Sequence, residues 1–156
     1  MQKISTCLWF DGNAEEAVHF YMSIFKNSKI ESIMYYGKAG PGEEGTVLSM
    51  TFQLDGQQLM ALNGGPQYKF TPAISFFVSC ESQQEVDELW EKLCEGGEKG
   101  RCAWLTDKYG VSWQIVPTAL GDMLQDKDAE KAAKVMRAML EMDKIDIEIL
   151  KQAYAG

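Results

Sequence analysis

One pattern, written twice along the chain, constrains the fold more than anything else. Residues 4–10 read as a strand, turn at Asp11-Gly12, and lead into a helix that opens at Asn13. Residues 73–79 have the same character and lead into a helix that opens at Ser82. Asn and Ser both favour the cap position, and a glutamate follows each by three residues, Glu16 and Glu85, as in a capping box. Ala14, Ala17, Val18, Tyr21 and Phe25 then recur at helical spacing; so do Val86, Leu89, Trp90 and Leu93, before Gly96-Gly97 stops the second helix. Strand-like runs follow each helix: 29–36, 46–54 and 57–63 in the first half, 101–105 and 111–116 in the second. Asp55-Gly56 is a hairpin signal, and residues 107–110 form a second turn. The glycine-rich stretch 37–45 reads as a flexible connection, and the stretch after Asn63 reads as a linker.

The expected fold is therefore α+β: two βαβββ modules, residues 1–66 and 67–117, and not the alternating units of a doubly wound sheet. Beyond Pro117 the composition shifts to helix formers. Asp128 caps a stretch with two apolar stripes side by side, Ala129, Ala132, Ala133, Met136 and Leu140 beside Val135, Met139 and Met142. Ile145 and Leu150 have the spacing of a hydrophobic staple around a later helix start at Asp146. Residues 118–156 are read as a helical extension packed on the sheet domain. Its two stripes exceed what one contact with a sheet covers, which predicts a homodimer.

Composition excludes several functions. The 156 residues carry a net charge of −8, one histidine and no Lys/Arg cluster, a poor match to nucleic acid or an anionic membrane. The densest apolar stretch, 73–80, is far short of the roughly 20 residues of a membrane helix. The first residues have no basic head before a long apolar run, so no signal peptide is read there and the expected compartment is the cytoplasm. Cys7, Cys80, Cys94 and Cys102 include no Cys-x-x-Cys pair and are read as buried or half-buried free thiols, Cys7 and Cys102 within strands.

Five segments in this order, LWFDGNAEEAVHFY (8–21), QLMALNGGP (58–66), FTPAISFFVSCES (70–82), EVDELWEKLCEGG (85–97) and WLTDKYGVSWQIVP (104–117), resemble the vicinal oxygen chelate superfamily. Within that group of glyoxalases, extradiol dioxygenases and antibiotic-resistance proteins, they look most like the PhnB-like branch, often labelled 3-demethylubiquinone 3-methyltransferase-like. The resemblance implies a curved mixed sheet around a shared cleft. In metal-dependent members the cleft ligands are His and Glu, and the matching positions here are Thr6, Leu59, Ala73 and Gln114. Those side chains offer only neutral donors or none, so no metal and no cofactor is expected. His19 falls with Glu15, Glu16 and Ser23 on an exposed helix face and is read as solvated. Neither glycine-rich stretch lies between a strand and a helix, as a methyl-donor nucleotide would require, so the label is read as a family name.

Strand alternation lists the side chains expected in the cleft: Thr6, Leu8, Leu59, Ala61, Asn63, Ala73, Ser75, Phe77, Trp104 and Gln114. Cys7, Trp9, Phe76, Val78, Trp113 and Ile115 are expected to face the helices. An apolar cavity with a few polar groups is the usual form of a small-molecule site. The reading is a metal-independent protein that binds a small, partly apolar molecule. An enzyme of unassigned reaction on the same cleft, with no identifiable catalytic residue, and a protein that acts through its helical extension stay open beside it.

Overall fold

The structure, a computed structural model, describes residues 2–156 and divides into two compact units, one ending at Lys69 and the other spanning Phe70–Gly156. The first unit runs β1 (Thr6–Phe10), α1 (Ala14–Ile24), β2 (Ser28–Tyr35), β3 (Val47–Leu54) and β4 (Gln57–Asn63). Its sheet has the order β1-β4-β3-β2, with β1 parallel to β4 and the other pairs antiparallel. Asp55 and Gly56 close the β3–β4 hairpin, both at positive φ (+48° and +82°), which is what a two-residue primed turn demands.

The second unit repeats that order: β5 (Ser75–Cys80), α2 (Gln83–Cys94), β6 (Glu98–Lys99), β7 (Trp104–Thr106) and β8 (Ser112–Pro117). Its sheet has the matching order β5-β8-β7-β6, again with one parallel pair. The fold is α+β, two βαβββ modules followed by helices, as the repeated pattern predicts. The two-residue strand β6 is an addition that no periodicity reveals. Ser82 caps α2 by accepting the Glu85 amide at 3.2 Å. α2 ends at Cys94, and residue 97 just beyond it is held to glycine, because a Cβ there would stand 2.2 Å from the Thr106 carbonyl oxygen. The Asp107–Gly110 turn is built on a buried carboxylate: Asp107 accepts from the amides of Tyr109 (2.8 Å) and Val111 (3.0 Å) and from Trp113 Nε1 (2.8 Å).

Residues past β8 form α3 (Thr118–Leu124), α4 (Ala129–Leu140) and α5 (Ile147–Ala155). Asp128 caps α4 and Asp146 caps α5, each by a side-chain oxygen on a first-turn amide. Ile145 and Leu150 are both fully buried, the staple their spacing predicts. With Ala103, Leu120, Val135 and Met142 they make the apolar cluster that fastens these helices to the second sheet. Among the described residues no helix is long and apolar enough to cross a membrane.

Each sheet is covered by its helix on one face, and the two sheets differ in which strand positions that face holds. In the second unit Phe76, Val78, Cys80, Trp113, Ile115 and Leu105 point toward α2, whose Val86, Trp90 and Leu93 are buried. This is the predicted parity. In the first unit the expectation is corrected: Leu8, Phe10, Met50, Phe52, Leu59 and Ala61 are the buried set beneath Ala14, Ala17, Val18 and Tyr21 of α1. The physical reason is one residue of connection. Cys80 and its cap Ser82 are separated by Glu81 alone, whereas Phe10 and Asn13 are separated by Asp11 and Gly12, with Gly12 at φ +83°. Taking Thr6 and Leu59 as cleft positions and alternating along the strands therefore assigns Leu8, Leu59 and Ala61 to the wrong face of the first sheet.

Candidate functional site

The second sheet leaves one face uncovered by α2. Phe77, in the middle of β5, is 60% exposed. It lies beside Gln114 in the β5–β8 register, and Gln114 lies beside Trp104 in the β7–β8 register. Gln114 Nε2 donates to Ser75 Oγ at 3.0 Å, so the polar pair is preformed. Trp104, Ser75 and Gln114 are half-buried. The same face holds Ser79 and Thr106, and β6 sets Glu98 opposite Thr106, at the sheet edge farthest from Phe77. Four of the residues expected in the cleft, Ser75, Phe77, Trp104 and Gln114, thus come together on one face.

The other six do not join them. Leu8, Leu59 and Ala61 are buried in the core beneath α1, with Leu59 1% and Ala61 0% exposed. Thr6 shares their parity but is exposed at the start of β1. Ala73 lies in an exposed turn ahead of β5, where its amide meets Thr71 Oγ1 at 3.3 Å, and not on a strand. Asn63 is engaged structurally: its Oδ1 accepts the Ala14 amide at 2.9 Å and its Nδ2 donates to the Val47 carbonyl at 3.0 Å. It thereby does for α1 what Asn13 is expected to do, since Asn13 occupies the cap position without a side-chain cap bond.

Inside the first unit the structure holds a cavity of about 750 Å³ that the sequence does not reveal. Its walls come from the β1–α1 turn, the β2–β3 connection and the segment after β4, among them Asp11, Glu15, Tyr35, Tyr36, Val47 and Gly64. The connection between β2 and β3 wraps around Tyr36. The Tyr36 hydroxyl donates to the Asn63 carbonyl at 2.5 Å. Gly42 lies so close that a Cβ would sit 2.3 Å from the Tyr36 ring. Gly64 packs in the same way on Trp9, whose Nε1 donates to Gly65 at 2.9 Å and whose ring meets Tyr68 edge-on at 5.0 Å. Trp9 is thus on the open side of the first sheet, contrary to the expectation that it faces the helix. These glycines are legible only as turns, because close ring approach is a tertiary property.

The thiols are free; Cys80 is buried and Cys94 and Cys102 are half-buried, as expected, whereas Cys7, within β1, is exposed and Cys102 lies in a left-handed turn outside any strand. Burial, reinforced by nearby Glu85, pushes the Cys80 thiol up to about 12. His19 is exposed with Glu15, Glu16 and Ser23, as predicted. Among the described residues no three His, Cys, Asp or Glu side chains gather to hold a metal ion.

Two successive βαβββ modules, each a mixed sheet with a helix on one face, define the vicinal oxygen chelate class of fold. The family model described as 3-demethylubiquinone-9 3-methyltransferase matches residues 2–116, and the chain belongs to that family. The PhnB protein of Bacillus cereus, whose description carries the same methyltransferase name, is 44% identical, with 74% of this chain aligned to 99% of that one at a TM-score of 0.68. Protein PA1353 of Pseudomonas aeruginosa shares the fold at 22% identity, with 75% and 98% coverage and a TM-score of 0.63. So does the fosfomycin resistance protein FosX of Listeria monocytogenes, at 18% identity, 80% and 98% coverage and a TM-score of 0.56. No curated protein matches the chain.

Neither group implied by these relationships fits the residues present. At the superfamily's metal positions Leu59 and Ala73 have no donor atom, Thr6 offers a hydroxyl, and the Gln114 amide is bonded to Ser75. A methyl-donor nucleotide lacks a cradle too. Residues 37–45 join two antiparallel strands, and Gly64-Gly65 follow β4 without opening a helix.

Proposed function

We propose that this protein binds a small, partly apolar molecule on the open face of its second sheet, without a metal. The observation that carries the reading is Phe77, a mid-strand aromatic 60% exposed beside the preformed Gln114–Ser75 pair. A large apolar ring held in solvent next to a few fixed polar groups is the composition of a ligand surface. Phe77 and Trp104 supply apolar contact, and Gln114 and Ser75 orient a carbonyl or hydroxyl of the ligand. Binding is favoured over acid–base catalysis because, among the described strand residues of this sheet, the one carboxylate, Glu98, stands at the far edge from Phe77.

We place the protein in the cytoplasm and assign it a homodimeric state, on the ground that Met136, Leu140 and Ile149 of the C-terminal helices remain exposed. Sedimentation equilibrium at twice the 17.5 kDa chain mass is the expected result. The binding test uses benzamide, a neutral ring with one amide, as an NMR probe. Shifts confined to Phe77, Trp104, Ser75 and Gln114, and lost in Phe77→Ala, are expected. Shifts at Tyr35 and Gly64 instead, or none at any concentration up to solubility, refute the assignment; the first outcome moves the site to the cavity of the first unit.

A further inference from the structure

We propose that the C-terminal helices position the ligand face of the second sheet, acting through the turn between α4 and α5 on the backbone that delivers Trp104. The inference rests on the open face described above as the binding surface. It concerns residues outside the family model, which ends at residue 116, before α3 begins.

Two consecutive non-glycine residues, Cys102 and Ala103, hold left-handed backbone at φ +56° and +78°. That conformation places Cβ against the following carbonyl and persists in a non-glycine residue only where its surroundings enforce it. Here the enforcing partners are identifiable. The Cys102 amide donates to the Met142 carbonyl at 2.8 Å, and the Ala103 amide donates to the Asp143 carbonyl at 2.9 Å. Arg101 adds a bond from Nη2 to the Leu140 carbonyl at 3.0 Å and a looser pairing of Nε with Asp143 at 3.8 Å. Both left-handed amides are thus satisfied by the α4–α5 turn, and by nothing within the sheet.

The turn is itself anchored to α2. The Gln83 carboxamide donates to the Ile145 carbonyl at 2.9 Å and accepts the Ile147 amide at 2.7 Å, and Lys144 pairs with Asp87 at 2.8 Å. On the far side of the left-handed pair, the Ala103 carbonyl accepts the Ile115 amide at 2.9 Å, and the next residue is Trp104, in register with Gln114. Strand side chains alternate, so a return of either left-handed residue to extended backbone redirects Trp104 away from the face that Gln114 occupies. Val116, on the same side of β8 as Gln114, packs against the helical cluster, so the same helices also wall one end of the face. They are a positioning element for Trp104.

The test follows Trp104 in the full-length chain by NMR and needs no ligand, so its outcome is separate from that of the benzamide experiment. The double variant Gln83→Ala/Lys144→Ala loosens the turn without touching the α2 core. Amide exchange at Cys102 and Ala103 is expected to accelerate at least tenfold, and the cross-peaks between Trp104 and Gln114 to fall by at least half. Adding Cys102→Gly/Ala103→Gly, which makes the left-handed backbone intrinsically accessible, is expected to restore those cross-peaks. The same glycine pair in the otherwise unaltered chain is expected to leave them intact. Unchanged exchange, faster exchange with unchanged Trp104 contacts, or failure of the glycines to restore them each overturns the proposal.

Discussion

Replacing Asn63 with Ala will destabilise the first unit far more than replacing Asn13, the residue that sequence pattern marks as the helix cap. Asn63 is half-buried at the end of β4 and makes two bonds at once, accepting the Ala14 amide at 2.9 Å and donating to the Val47 carbonyl at 3.0 Å. Loss of a capping oxygen costs about 1 kcal/mol. Loss of the second bond, with the Val47 carbonyl left half-buried, adds roughly 1–1.5 kcal/mol. The expected total is about 2–2.5 kcal/mol, a fall in Tm of roughly 4–10 °C for a chain of this size. Asn13 makes no side-chain cap bond, so Asn13→Ala should stay within about 0.5 kcal/mol of the parent. Urea unfolding followed by NMR of first-unit amides reads the stability, and exchange of the Ala14 amide reports the cap directly. If Asn13→Ala proves as costly as Asn63→Ala, or the Ala14 amide stays protected in Asn63→Ala, the reasoning fails.

Three further outcomes are expected. Asp107→Ala strips three donors of their buried acceptor and should cost about 3 kcal/mol or more in urea unfolding, whereas Lys108→Ala in the same turn should cost far less. The raised Cys80 thiol stays neutral in the folded chain while the unfolded chain ionises above about pH 8.5, so its contribution to stability is whole below that pH and is lost as pH rises toward 12. In the native protein Ellman's reagent at pH 8 should therefore modify exposed Cys7 well before buried Cys80, and equal rates would contradict the burial. Phe77→Ala should change stability by less than about 0.5 kcal/mol, because the ring is mostly in solvent; a larger loss would mean that it is packed as core.

Local rules carried much of this fold in the amino-acid order. The Asp55-Gly56 hairpin, the caps at Ser82, Asp128 and Asp146, and the Ile145/Leu150 staple each depend on residues a few positions apart, so spacing alone reveals them. The open face of the second sheet was legible for the same reason, because α2 follows β5 by the shortest of connections. What tertiary structure decided depends on contacts across long stretches of chain. One extra residue beside Gly12 reversed the faces of the first sheet and sent Leu8, Leu59 and Ala61 into the core. Asn63 reached back 49 residues to cap α1. Gly40 and Gly42 became the fitted walls around Tyr36, and Gly64 the wall against Trp9. Cys102 and Ala103 took left-handed backbone that their own side chains disfavour, because the carbonyls holding their amides belong to a turn some 40 residues onward, and no local propensity encodes a partner that distant.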